Sequence, residues 1–313
     1  MMYGNLAALQ QEVLMQIYDI PIDSTRQETT AHGTFDFPLA VYETILSKNI
    51  LGFVSWHWHR EFQFCLVTAG TVAFWVQGQQ LTLPAGQGLF INSNVLHMAK
   101  PETPDAAYCC IDILPSLLCG FPGSLLDVSL ITPLSADASL PLFLFSGDTA
   151  ETREILALLE RVRQLSRQPG TGYPVQVTGL LMEVLGNMLS ARKSAPSGAG
   201  MVLPWLRSVL QYIDRHYMEH LTLGQCAQLS GLSDSEFCRQ FKRAMHCTLT
   251  GYIRQVRLQK SAAELLLHPE KSVSQIAYAT GFSTTSYFIS QFRAATGKTP
   301  LAYRQERSGG HRD

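Results

Sequence analysis

Three histidines can bind a ligand or a metal ion. His57 and His59 are one residue apart, and His97 lies further along the chain. Successive side chains of an extended strand point to opposite faces. His57, His59, Glu61, Gln63 and Cys65 therefore share one face, and Trp56, Trp58, Phe62 and Phe64 share the other. Three imidazoles converging beside a carboxylate are a donor set for a divalent ion. In a concave, aromatic-lined site the same groups hydrogen-bond a small polar molecule. Catalysis is not indicated: there is no glycine loop of the phosphate-cradling kind, no nucleophile elbow and no Ser/His/Asp arrangement.

A second set of residues points to DNA. One pattern is written twice near the C-terminus: Ala227, Gly231, Ser233, Phe237 and Phe241-Lys242, then Ala277, Gly281, Ser283, Phe288 and Phe292-Arg293. Ala to Ala and Gly to Gly are each 50 residues apart, and the second copy is one residue longer past its Ser. The Ala suits a close helix crossing. The Gly suits a turn that needs positive φ. The Ser is a good N-cap for the next helix, and the Phe residues recur at helical spacing. Each copy reads as a helix-turn-helix, and two in one chain can place two helices in major grooves without a dimer.

The elements that must position these residues follow from periodicity. The 313 residues suggest two domains. Over 34–114, short runs at 62–67, 72–76, 81–83 and 89–91 are separated by turn residues, which predicts a small barrel or jelly roll. From 150 to 192 the period becomes helical. One stripe holds Ile155, Leu158, Leu159, Val162 and Leu165; the next holds Val177, Leu180, Leu181, Val184, Leu185, Met188 and Leu189. These helices are expected to pair with a second subunit, with covering the barrel as the alternative. Residues 193–203 read as a flexible linker. Pro204 opens a helical module, in which a long helix over about 249–267 joins the two repeats and stops at His268-Pro269.

Charge divides along the same boundary. The formal net charge is −1, yet residues 204–307 carry 13 Lys and Arg against 7 Asp and Glu, a net of +6, which leaves −7 on the rest. A basic C-terminal module on an acidic partner suits a nucleic-acid contact confined to one end. Seven Cys with neither zinc-ribbon nor disulfide spacing imply reduced thiols. The first residues lack the basic stretch of a signal peptide, and no apolar run approaches a membrane span, so a cytoplasmic protein without a membrane partner is expected.

Residues 204–305 resemble the DNA-binding domain of the AraC/XylS family of bacterial transcription regulators. The most specific stretch holds Ile276-Ala277, Gly281-Phe282, Ser286-Tyr287-Phe288, Phe292-Arg293, Gly297, Thr299-Pro300 and Tyr303-Arg304. About a third of the chain is covered. The resemblance implies helix-turn-helix units over about 221–243 and 272–294. The first recognition helix would follow Ser233 and present Ser235, Glu236, Cys238 and Arg239, with Lys242 near the DNA backbone. The second would follow Ser283 and present Thr285, Ser286, Ile289 and Ser290, with Thr284 and Arg293 near phosphates. Arg239 is the best base reader, since its planar fork pairs with guanine. The second helix offers no Arg, Lys, Asn or Gln at those positions, so it is expected to position the protein and specify sequence weakly. Arg257 is expected to be structural.

Residues 52–97 resemble a cupin, through Gly52, His57-Trp58-His59, Gly70, Gly78, Pro84-Ala85-Gly86 and His97. In metal cupins a Glu falls four residues after the second His. Gln63 stands there in this chain, and a neutral amide is a weak ligand. The expectation is thus an α+β chain of two domains. Residues 1–192 form a cupin-type jelly-roll barrel with flanking helices that senses an effector and dimerises. Residues 204–307 form an all-α domain of two helix-turn-helix motifs joined by a long helix. The function expected is that of an effector-controlled transcription regulator, an activator by family habit and not an enzyme, whose partners are double-stranded DNA, a small-molecule effector, RNA polymerase and a second copy. The effector set is His57, His59, Glu61, Gln63 and His97, with no cofactor and no metal; if a metal binds, His57, His59 and His97 hold it. The alternative is a metal-dependent cupin enzyme or a metal-sensing regulator.

Overall fold

The computed structural model describes residues 20–192, 204–245 and 247–309. The linker expected at 193–203 lies outside them. The chain divides into two compact units, one N-terminal and β-rich, one C-terminal and helical.

The first unit holds two antiparallel sheets. The five-stranded sheet runs β1 (Leu39–Ile45), β8 (Ala107–Ile113), β3 (Phe62–Ala69), β6 (Gly88–Ile91) and β9 (Leu142–Phe145). The four-stranded sheet runs β2 (Val54–His57), β7 (His97–Pro101), β4 (Thr71–Val76) and β5 (Gln79–Pro84). The period of two on β3 separates two cores. Phe62, Phe64 and Leu66 pack outward with Phe90, Ile111 and Phe145, while Cys65 and Val67 pack inward with Phe74, Leu89, Ile91 and Tyr108.

Helices α1 (Ala150–Arg167) and α2 (Tyr173–Arg192) cover the outward face. Thr149 and Thr152 form a capping box that starts α1. Ser166 Oγ lies 2.9 Å from the Tyr173 hydroxyl, tying the end of α1 to the start of α2. Ile155, Leu159, Val162, Val177, Leu181, Val184 and Met188 are each fully buried against the sheet. Each such side chain stabilises the fold by about 1.5–3 kcal/mol. The stripe expected to pair with a second subunit is therefore buried within the chain itself. A sheet whose strands are apolar on both faces needs a cover, and these helices supply most of it.

The second unit begins with α3 (Pro204–His216). The first helix-turn-helix is α4 (Leu223–Ser230) and α5 (Asp234–Met245); the second is α7 (Val273–Ala279) and α8 (Thr285–Thr296). Helix α6 (Leu249–Leu267) joins them, and α9 (Pro300–Gly309) follows. The repeat goes deeper than the motif. Thr222 with Gln225, and Ser272 with Gln275, form matching capping boxes at the starts of α4 and α7. In both copies the turn Gly has positive φ, 70° at Gly231 and 84° at Gly281. Among the described residues no helix is long and apolar enough to cross a membrane.

Candidate functional site

The histidines meet between the sheets, although the route differs from the single alternating strand expected. His57 ends β2 in the four-stranded sheet. The chain then turns through 58–61, and Gln63 and Cys65 lie on β3 in the other sheet. His97 pairs directly with His57 across β2 and β7. One ring nitrogen from each of His57, His59 and His97 lies within 4.8 Å of the other two, and all three residues are buried.

Hydrogen bonds to backbone orient two of the rings. His57 Nδ1 lies 2.8 Å from the Ser55 carbonyl oxygen, and His97 Nδ1 lies 2.8 Å from that of Val95. A carbonyl only accepts, so each Nδ1 carries a proton; His97, held neutral by burial, keeps the lone pair on its Nε2. Gln63 Nε2 donates to Asp112 Oδ1 at 3.0 Å and lies 3.3 Å from His59 Nε2. Glu61 is the most exposed of the expected set and stands 3.5 Å from His59 Nδ1.

Three further groups complete the cluster. Glu28 Oε2 is 3.6 Å from His57 Nε2 and 3.7 Å from His32 Nε2; His32 Nδ1 is 3.7 Å from Asp112 Oδ2 and 3.1 Å from the Tyr42 hydroxyl. None of these was named from the sequence. Asp112 carries a signal that could have found it: it is the only charged residue in the apolar run Ala107–Ile113. Glu28 and His32 precede the first strand and carry no such mark.

Burial and neighbouring charge split the titrations. Burial alone would raise Glu28, but His32 and His57 outweigh it and hold the carboxyl at about 2. Burial pulls His32 down, and the Asp112 and Glu28 carboxylates reverse this, lifting it to about 9. Burial lowers His59 to about 3 and His97 well below the usual histidine range, with repulsion from His57 adding to both. Burial raises Asp112 to about 6 against the pull of His32. The cluster thus combines an ionised Glu28–His32 pair with neutral His59 and His97. Neutral imidazoles can accept hydrogen bonds or bind a cation; no nucleophile is poised among these groups.

In the second unit, α5 and α8 each present one polar face. Ser235, Cys238, Arg239 and Lys242 are exposed on α5, and Glu236 is half-buried. Arg239 pairs with Glu236 one turn away, and Gln240 Nε2 donates to the same carboxylate at 2.6 Å. On α8, Ser286, Ser290 and Arg293 are exposed and join Ile289 and Thr299 along a shallow depression.

The residues 49–185 match the family model of an AraC-like ligand binding domain, and 226–306 match that of a helix-turn-helix domain. Over 290 residues the chain is 34% identical to an uncharacterised HTH-type transcriptional regulator, YdeC, of Bacillus subtilis (strain 168), covering 92% of this chain and 98% of the relative. The chain belongs to the AraC family of transcriptional regulators. This AraC-family regulator is also 26% identical over 255 residues to the HTH-type transcriptional activator RhaS of Escherichia coli O81 (strain ED1a), covering 81% of this chain and 88% of that one. A crystal structure of ToxT from Vibrio cholerae O395 aligns with a TM-score of 0.40 at 12% identity, over 87% of this chain and 98% of that one.

Two details of the regulator differ from expectation. The second recognition helix is capped by Thr284, whose hydroxyl accepts from Tyr287 N at 3.2 Å, and not by Ser283. The extra residue in the second copy moves the cap by one. Thr285 donates to Ser274 Oγ at 3.1 Å, so its hydroxyl ties α8 to α7. Arg257 is structural, as expected: its guanidinium donates to the Tyr217 and Glu219 carbonyls at 2.7 Å each. Arg304 does the same for the end of α6, donating to Leu265, Pro269 and Lys271.

Proposed function

We propose that this regulator binds an asymmetric DNA site through α5 and α8 and that a small polar effector held by the buried histidine cluster controls that binding. The observation that carries the DNA reading is the pair of matched, capped helix-turn-helix units with their polar helix faces exposed. Arg239 leads base recognition. Its exposed ion pair with Glu236 is worth only about 0–1 kcal/mol, so releasing the guanidinium to a guanine costs little. Lys242 and Arg293 contact phosphates, while Ser235, Glu236 and Cys238 line the same groove. Ser286, Ile289 and Ser290 offer hydroxyls and a methyl-bearing surface, which suits positioning and contact with thymine methyls. Thr284 reaches a phosphate only as far as its capping role allows, and Thr285 acts through α7.

The effector set is His57, His59, Gln63 and His97, as the sequence predicts, joined by Glu28, His32 and Asp112, with Glu61 at its margin. Occupancy must favour one of two states of the chain to change its affinity for DNA. The regulator acts as a cytoplasmic activator in contact with RNA polymerase and has no catalytic role. A homodimer would use surfaces outside the buried α1–α2 stripe.

The test is selection of binding sites from random DNA by the full chain, followed by a salt titration. An asymmetric site with two blocks about one helical turn apart is expected, with a steep salt slope. Failure to enrich any sequence, with and without candidate effectors, would overturn the reading.

A further inference from the structure

Helix α6 joins the two helix-turn-helix units, and a cleft of about 480 Å³ opens on its face between them. The floor is one stripe of α6, Thr250, Ile253, Arg254 and Arg257, at helical spacing. One wall is the loop over 218–221 that leads into α4. The other is the turn over 281–283, with Tyr287 on α8. The walls are fixed to each other. Arg257 donates to the carbonyls of Tyr217 and Glu219, and Gly281 packs so close that a β-carbon there would lie 2.8 Å from the Tyr217 oxygen. The Phe282 and Tyr287 rings lie 6.2 Å apart, which steadies the second wall. The cleft is thus formed before any partner arrives.

Its lining suits an anion. Arg254 and His220 are exposed, and Thr250, Ser283 and Tyr287 add hydroxyls. Among the described residues Arg254 makes no ion pair, whereas its neighbours on the same helix are engaged, Arg257 with the two carbonyls and Lys260 with Asp214 at 3.5 Å. Glu219 is the only carboxylate in the lining, and it stands 3.0 Å from His216 Nδ1. A guanidinium flanked by hydroxyls is a donor set for the sugar-phosphate backbone of DNA. The position fits as well. Recognition helices enter the major groove by their N-terminal residues, and Ser283 and Tyr287 stand at the N-terminal end of α8. Between two major-groove contacts about one helical turn apart, the minor groove and its bordering phosphates lie against the protein.

We propose that this cleft is a third DNA contact, seating the phosphates that border the minor groove between the two recognition blocks. Arg254 is its charged contact, and the His220 ring and the hydroxyls of Thr250, Ser283 and Tyr287 are further donors. The proposal rests on the reading that α5 and α8 enter successive major grooves. The contact adds affinity without base recognition, because phosphates carry no sequence. It also sets a distance. Backbone seated on α6 places both blocks against helices whose separation the cleft walls fix, so the protein reads the length of the spacer without reading a base in it.

The experiment uses the full chain and the site it selects, in duplexes where one spacer phosphate at a time is a neutral methylphosphonate. Affinity is measured across a range of salt concentrations. At one or more spacer positions the substitution should lower affinity and make the salt slope shallower by about 0.9, the counterion release of one phosphate contact. Arg254→Ala should make the slope shallower by about 0.9 on the selected site and on scrambled DNA alike, leaving the preference between them unchanged. In that variant the spacer substitutions should lose most of their effect, and Arg254→Lys should restore the slope. Thermal unfolding of both variants should match the wild type, because Arg254 is exposed and makes no ion pair. An unchanged salt slope in folded Arg254→Ala overturns the proposal, as does a spacer whose phosphates can each be neutralised without loss. If a site is selected and either result is found, the cleft contact fails and the two-helix reading stands. If the full chain selects no site, with or without candidate effectors, that reading fails and the cleft contact falls with it.

Discussion

Gly231 and Gly281 occupy the same place in the two repeats, yet replacing each with Ala should have different costs. Both have positive φ, 70° and 84°, which an L-residue adopts at about 1–2 kcal/mol. At Gly231 a β-carbon would meet nothing within 4 Å. At Gly281 it would lie 2.8 Å from the Tyr217 carbonyl oxygen, 2.9 Å from Arg257 Nε and 2.9 Å from Met218 Cα. Two of those three atoms are backbone and cannot step aside alone. Relief therefore disturbs the two bonds by which Arg257 holds the Tyr217 and Glu219 carbonyls. Hydrogen bonds from a charged donor contribute about 1.5–3 kcal/mol each. Gly231→Ala should thus cost about 1–2 kcal/mol and Gly281→Ala, with both bonds lost, about 4–8 kcal/mol. Urea unfolding of the full chain, followed by helical circular dichroism, measures both, with DNA affinity as a second readout. Equal losses, or a larger loss at Gly231, would refute the claim that packing against Arg257 distinguishes the two turns.

Other outcomes follow from the same geometry. Arg239→Ala should cost about 1–3 kcal/mol at the selected site and little on scrambled DNA, whereas Lys242→Ala should weaken both alike and reduce the salt slope by about one; equal losses on both DNAs for Arg239→Ala would make it a phosphate contact. Leu181→Ala should destabilise the first unit by about 2–5 kcal/mol without altering the sedimentation of the native chain, because this side chain is fully buried in its own core; a change in oligomeric state with unchanged stability would return the stripe to a subunit interface. In chelator, stability should fall on acidification below pH 6.5. His59 and His97 are held neutral in the fold, so each loses about 1.4 kcal/mol per pH unit below the ordinary histidine value of 6.5. Asp112, raised to about 6, gains the same slope back below pH 6, leaving a net loss of about 1.4 kcal/mol per unit down to 4.5, below which proton uptake by Glu28 in the unfolded chain adds to it. Thermal unfolding that is flat or rises from pH 6.5 to 4.5 would contradict the buried neutral imidazoles.

The helical unit was legible because its determinants are local. An Ala at a crossing, a Gly at positive φ and Phe at helical spacing each act within a turn or two of the chain. Even the displaced cap at Thr284 follows from one added residue. The histidine cluster was legible only in part. His57, His59 and His97 were named from type and spacing, but the chain changes sheets between His59 and Gln63, so a single-strand alternation joined residues that meet from opposite sides. Asp112 reaches the cluster through register, Gln63 opposite Asp112, and register is a property of pairing that no one segment displays; Glu28 and His32 come from the stretch before β1. The helical stripes were visible, but amphipathicity alone does not say whether a face meets its own sheet or another subunit.

The tandem repeat has a further consequence. A symmetric dimer reads a palindrome and looks the same from either end. In the proposed reading the two faces that meet DNA are unlike, Arg239 on α5 and the hydroxyls of Ser286 and Ser290 on α8, and they are strung in a fixed order on one chain. Such a unit has a head and a tail. Inverting its operator would leave every base pair available yet turn the bound molecule around, so the orientation of a site, as much as its sequence, decides which way along the chromosome the protein faces.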